Sequence, residues 1–209
     1  EQYLKGHFTK AELIKFLTLF GALGFLFLFL AWLTYPPENN YSIMKDTISF
    51  LGSSDPDNNP HGSWLFSISL IIFAIMLVPI AFYRYRKMKK VFLPFALFSL
   101  LFYIIAAVGL FLVAIFPDNG GMSYFSDLSA GRLHNLVSIF AFGGFGLAFL
   151  IDLFTYIIDA IKKPMLFNIK IWGMVYIIFF ILLGIAVYTQ IRWNMICEAN
   201  CWPGEGIYS

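Results

Sequence analysis

The stretch "SWLFSISLIIFAIMLVPIAFYRYRKMKK", Ser63 to Lys90, decides the fold. From Ser63 through Tyr83 it carries no charged side chain; then Arg84, Arg86, Lys87, Lys89 and Lys90 arrive together. A helix of roughly 20 apolar residues crosses the ~30 Å hydrocarbon core of a bilayer. Residues 63–83 therefore read as a membrane span, and the basic run reads as the loop that stops it.

Outward from this segment, four further stretches have the same character, near residues 11–34, 92–116, 132–158 and 169–192. The first has a legible start: Thr9 and Glu12 stand at capping-box spacing, and Phe8 with Leu13 at hydrophobic-staple spacing. The expected fold class is all-α, a polytopic transmembrane helix bundle of five helices forming one domain over residues 1–209. Composition agrees. The 209 residues are 60% hydrophobic, and only 12% are charged, about half the share of a soluble domain. So few charges could not cover a water-exposed surface of this size. No signal peptide with a cleavage site is apparent, because the first apolar segment is long enough to remain in the bilayer.

Loop charges assign sidedness. The amino end holds Lys5, Lys10 and Lys15, the second basic group is "YRYRKMKK", and the third holds Lys162, Lys163 and Lys170. Against these, "PPENNYSIMKDTISFLGSSDPDNNPHG" (residues 36–62) carries Glu38, Asp46, Asp55 and Asp57 with the single Lys45. The positive-inside rule places the amino terminus and the basic loops in the cytoplasm of a cell-membrane protein. Loops 36–61 and 117–131 and the carboxyl terminus then lie outside. Cys197 and Cys201 fall beyond the fifth segment on that outer side, where an oxidising compartment favours a disulfide between them over two free thiols or soft metal ligands.

Small and aromatic residues carry packing signals. Gly144 and Ala148 are four apart, with Gly143 and Gly146 nearby, so a neighbouring backbone can approach that helix closely. Pro79 falls inside the second span and Pro94 at the start of the third, where a kink or a helix start is tolerated. Trp32, Tyr35, Trp193 and Trp202 suit the aromatic belt of the outer interface.

Nearly all polar residues able to do chemistry gather on the expected outer side. The first loop offers Ser49, Gly52, Asp55, Asp57, His61 and Trp64; the end of the third span offers Pro117 and Asp118. The fourth begins with Arg132, His134 and Asn135, and Ser138 lies one turn deeper on the face of His134. Alternate helix ends meet at one surface, so a candidate polar cluster of Ser49, His61, Asp118, His134 and Ser138 is expected there. Two imidazoles and a carboxylate, His61, Asp118 and His134, are a ligand set for a hydrolytic zinc ion. No locally spaced pair such as H-E-x-x-H supports it, and cofactor-free solvated histidines are the simpler reading. Asp118 after Pro117 reads as a turn or cap, and Asp55 to Asn59 as a plain polar turn. Residues 42–52 carry apolar positions at helical spacing from Ser42 to Gly52, compatible with a short interfacial helix or an irregular loop.

Asp152 is the one acid well inside an apolar segment. It lies about 27 Å along the helix from His134, close to the basic side, which suggests a structural role reaching a basic loop or a hydroxyl rather than a proton path. Clustered Lys and Arg beside a membrane point to anionic lipid and not to nucleic acid.

"TISFLGSSDPDNNPHGSWLFSISLIIFA", "GLFLVAIFPDN" and "LHNLVSIFAFGGF" resemble the signature segments of domain-of-unknown-function family 998. Ser49, Gly52, Pro117, Asp118 and His134 match its pattern, while Phe50 stands where a polar residue is usual. The family is grouped with Frag1, DRAM and Sfk1 membrane proteins, which implies a related bundle and a role touching lipids. It usually has six helices, so the resemblance implies either a sixth after Ser209 or a chain that ends outside. Two functions are expected from all this. One is a lipid-contacting or accessory subunit of a membrane assembly, binding membrane lipids and other membrane subunits. The other is a metal-dependent hydrolase of lipid headgroups; a carrier using Asp152 ranks below both.

Overall fold

The structure is a computed structural model that describes residues 5–39, 41–42, 48–119, 123–125 and 128–162, together with 174, 177, 178, 181, 184 and 188. The chain falls into two compact units, residues 1–155 and 156–209. Four helices make up the described architecture: α1 Lys10–Leu33, α2 Ser63–Met88, α3 Leu93–Ile115 and α4 Ala130–Lys162. All four are long and apolar enough to cross a membrane. Short 3-10 turns, Pro37–Asn39 and Ile48–Gly52, lie between α1 and α2. A small antiparallel ladder, β1 Ser123–Phe125 with β2 Leu128–Ser129, precedes α4 and pairs Ser123 with Ser129 and Phe125 with Leu128.

The expected count of five helices is met by four among the described residues. Segment 169–192 lies mostly outside them; its six described positions are helical. Cys197 and Cys201, expected to pair, lie outside the described residues altogether. Within the expected 42–52 element, Ile48–Gly52 is a 3-10 turn with Leu51 and Gly52 buried.

Helix α1 starts as its sequence dictates. The Thr9 hydroxyl accepts from the Glu12 amide at 3.3 Å, and the Glu12 carboxylate accepts from the Thr9 amide at 2.7 Å, which closes the capping box. Phe8 packs its ring on Phe16 and, edge-on, against Tyr83 of α2. The greatest departure from the expected spans is at the end of α2, which continues five residues past Tyr83 and takes Arg84 into the helix as a buried residue. A charge tally alone places Arg84 in a loop; a partner inside the bundle moves it.

Lipid tails are as apolar as leucine, so burial of hydrocarbon does not by itself draw these helices together; close backbone packing and hydrogen bonds do. Between α1 and α2 the crossing is at Gly24, whose carbonyl accepts from the Ser69 hydroxyl at 2.8 Å. Helices α3 and α4 meet backbone to backbone. A Cβ on Gly109 would stand 2.7 Å from the Ala141 Cα, and one on Gly144 would stand 3.0 Å from the Phe102 carbonyl oxygen. Of the small residues picked out in sequence, Gly144 and Ala148 thus face the bundle, whereas Gly143 and Gly146 have nothing within reach of a Cβ. Leu77, Ala81, Tyr103, Ala106, Ala107 and Ala148 form the central apolar cluster of α2, α3 and α4.

Candidate functional site

The successive helices run antiparallel, so the end of α1, the start of α2, the end of α3 and the start of α4 share one rim. There the chain builds a polar lattice around two asparagines. Asn59 is fully buried; its amide nitrogen donates to the carbonyls of Ala31 and Leu51, both at 2.9 Å, and its amide oxygen accepts from Gly62 N at 3.1 Å. One side chain therefore ties the last turn of α1, the 3-10 turn and the first turn of α2. A Cβ on Gly62 would run into the Thr34 hydroxyl and stand 2.7 Å from the Asn59 amide oxygen, so a larger residue there would have to displace both side chains.

Asn119 does the same for the other side of the rim. It is buried, and its amide oxygen accepts from Ser54 N at 2.8 Å and from the Ser53 hydroxyl at 3.2 Å. The first loop and the loop after α3 are thereby joined, as the sequence suggested, but through Ser53, Ser54 and Asn119. Asp55 to Asn59 is the polar turn expected, closed by Asn58 N donating to the Asp55 carbonyl at 2.9 Å.

His134 is buried in the first turns of α4, with Nδ1 2.9 Å from the carbonyl oxygen of Phe116. A carbonyl only accepts, so Nδ1 is the donor in this contact. Asp118 is half-buried over the same turn, its Oδ1 3.3 Å from where a Gly131 Cβ would stand. A carboxylate at that position meets the positive end of the α4 dipole. The structure therefore unites Asp118 and His134 at one corner.

His61 faces solvent. It is exposed in the turn before α2, and its carbonyl accepts from the Trp64 indole at 3.0 Å. No group of three His, Cys, Asp or Glu side chains converges as a metal site among the described residues. Of the expected set His61, Asp118 and His134, the helix start that fixes Gly62 and Asn59 inward leaves His61 outward. Ser49, in the 3-10 turn, and Ser138, one turn below His134, are each half-buried.

A second polar centre lies toward the other end of the bundle. The Asp152 carboxylate accepts from Arg84 Nε at 2.8 Å, the Ser99 hydroxyl at 2.7 Å and the Tyr103 hydroxyl at 2.9 Å, with Arg84 Nη2 at 2.6 Å. Asp152 is 1% exposed and the Arg84 side chain 9%. This fulfils the structural role expected for Asp152 and ties α2, α3 and α4 by one carboxylate. Arg84 is buried along with it. Equal depth is the signal that sequence reading missed. Arg84 lies about 32 Å along α2 from the rim and Asp152 about 33 Å along α4.

Two hollows also mark the described surface, one apolar and one basic. One, of about 680 Å³, runs along the second half of α1 beneath the Ile48–Gly52 turn. The other, of about 340 Å³, lies among the cations at the end of α2.

Four membrane-crossing helices tied by a rim lattice and one buried ion pair define a multipass integral membrane protein. The chain belongs to the family described as "Protein of unknown function (DUF998)", whose model matches residues 18–207. No curated protein and no solved structure matches it.

Proposed function

We propose that the protein is a lipid-contacting, accessory component of a membrane assembly, and that its contact is an acyl chain held in the groove of α1. The observation that carries this reading is the groove itself. Phe25, Leu28, Phe29 and Trp32 line it from α1, and Ile48 with Leu51 close it from the 3-10 turn. Its volume of about 680 Å³ lies in the range of small-molecule pockets. Helix α1 buries only Gly24 and Ala31, which leaves most of its apolar surface, groove included, available for contact with bilayer hydrocarbon in this reading. What enters such a groove from that side is a lipid tail. Tyr41 and Ser42 add the polar groups at its edge that a glycerol ester would meet.

In this reading the basic end of the bundle is cytoplasmic and the asparagine lattice lies in the opposite leaflet, by the excess of Lys and Arg. The test is photo-crosslinking in lipid nanodiscs with a phospholipid carrying a diazirine in its acyl chain. Adducts should concentrate on Phe25, Phe29, Ile48 and Leu51 and fall away in Leu28→Trp, which fills the groove. Adducts spread evenly around α1, indifferent to Leu28→Trp, would refute the assignment.

A further inference from the structure

At the opposite end of α1, the second hollow has a different chemistry. Its walls are the rings of Phe8 and Tyr83, and its charges are Arg86, Lys87, Lys89 and Lys90; the lining has four cations and no carboxylate. The walls are fixed in place. Gly6 is buried with φ +68°, a left-handed conformation that favours glycine. Its backbone presses on α2 so closely that a Cβ would meet the Tyr83 amide and stand 2.7 Å from the Phe82 carbonyl carbon. Arg86 Nη1 donates to the Gly6 carbonyl at 2.8 Å and pins the segment leading to Phe8.

The lysines are held much less. Lys87, Lys89 and Lys90 are exposed; Lys87 Nζ lies 5.7 Å from the Tyr83 ring centre and Lys89 Nζ 5.4 Å from that of Tyr85. Cations at a helix end also complement the dipole of α2, and that alone explains one or two of them. It does not explain an aromatic-walled hollow prepared by a left-handed glycine and lined with three lysines. The site lies where the apolar part of α2 ends, at the level of lipid headgroups, and a phosphate beside an apolar glycerol stem matches both kinds of lining.

We propose that this pocket binds the phosphate-bearing headgroup of an anionic phospholipid, with Lys87, Lys89 and Lys90 on the phosphate and Phe8 with Tyr83 beside the glycerol. The proposal is independent of the acyl groove, which lies at the other end of α1 and uses none of these residues. Each cation near a membrane surface is worth roughly a fivefold gain in anionic-lipid binding, so removing three weakens it on the order of a hundredfold.

The test uses the full chain in phosphatidylcholine nanodiscs containing a minor fraction of phosphatidylglycerol, with bound lipid counted by native mass spectrometry. Wild type should retain phosphatidylglycerol in preference to phosphatidylcholine, and Lys87→Gln/Lys89→Gln/Lys90→Gln should lose that preference at unchanged melting temperature. Lys10→Gln/Lys15→Gln, at the same end but outside the lining, should keep it. Equal loss per charge in both variants would show a diffuse basic surface and overturn the pocket. Displacement of the lipid by millimolar inorganic phosphate would make the occupant a soluble anion and overturn the lipid assignment.

Discussion

Removing Arg84 should do more damage than removing any other single partner of Asp152. The carboxylate has four donor atoms within 2.6–2.9 Å, and Arg84 supplies two of them along with the compensating charge. At an effective dielectric constant near 20, two unit charges about 4 Å apart attract by about 4 kcal/mol, against a desolvation cost of several kcal/mol per ion. The pair is thus close to neutral relative to a well-packed apolar pair. Arg84→Met removes the attraction and leaves the carboxylate buried with two hydroxyls, which costs about 3–5 kcal/mol. Tyr103→Phe removes one bond to a charged acceptor, about 1.5–3 kcal/mol. Arg84→Met/Asp152→Leu, with neither charge buried, should recover most of the loss. The assay is reversible unfolding in mixed micelles with increasing dodecyl sulfate, followed by tryptophan fluorescence. The account fails if Arg84→Met is no worse than Tyr103→Phe, or if the double variant is less stable than Arg84→Met.

Three further outcomes follow from the geometry. Asn59→Ala removes a donor from the carbonyls of Ala31 and Leu51 and the acceptor of the Gly62 amide; the Ala31 carbonyl keeps the Thr34 hydroxyl, so the cost is about 1–3 kcal/mol for each of the other two buried groups left unpaired, and protease sensitivity in the loop between α1 and α2 should rise sharply. Gly109→Ala forces a methyl toward the Ala141 backbone and should cost about 1–3 kcal/mol, whereas Gly143→Ala, with open space around it, should be neutral or mildly stabilising in the same unfolding assay. Thr9→Ala opens the capping box and should cost about 1 kcal/mol, visible as faster amide exchange in the first turn of α1 with the rest of the helix unchanged.

The spans were legible because the bilayer imposes a length and an apolar composition that no local preference overrides. The observed limits of α1, α2's start and α3 fall within a residue or so of those expected from sequence. What escaped was pairing across elements. Arg84 looked like one more loop cation because its environment is made by Asp152, Ser99 and Tyr103 from two other helices. Asn59 looked like one polar residue of a turn, and only the approach of Ala31 and Leu51 makes it the residue that closes the rim. His61 and His134 are alike in sequence and opposite in burial, because one precedes a helix start and the other lies a turn inside one. Gly144 and Ala148 were identifiable as packing residues by their spacing, while their neighbours Gly143 and Gly146 were not separable from them without knowing which way the helix turns.

The union of Arg84 with Asp152 also has a bearing on how the chain is made. The two residues are 68 positions apart, so at about 5–20 residues per second the ribosome reaches the acid some seconds after the base. During that interval α2 carries a guanidinium without its counter-charge, close enough to the basic end for the long side chain to reach headgroups and water. Arrival of α4 lets it withdraw, and α3 is captured in the same event through Ser99 and Tyr103. A chain that lacks its fourth helix therefore keeps Arg84 without the Asp152 counter-charge.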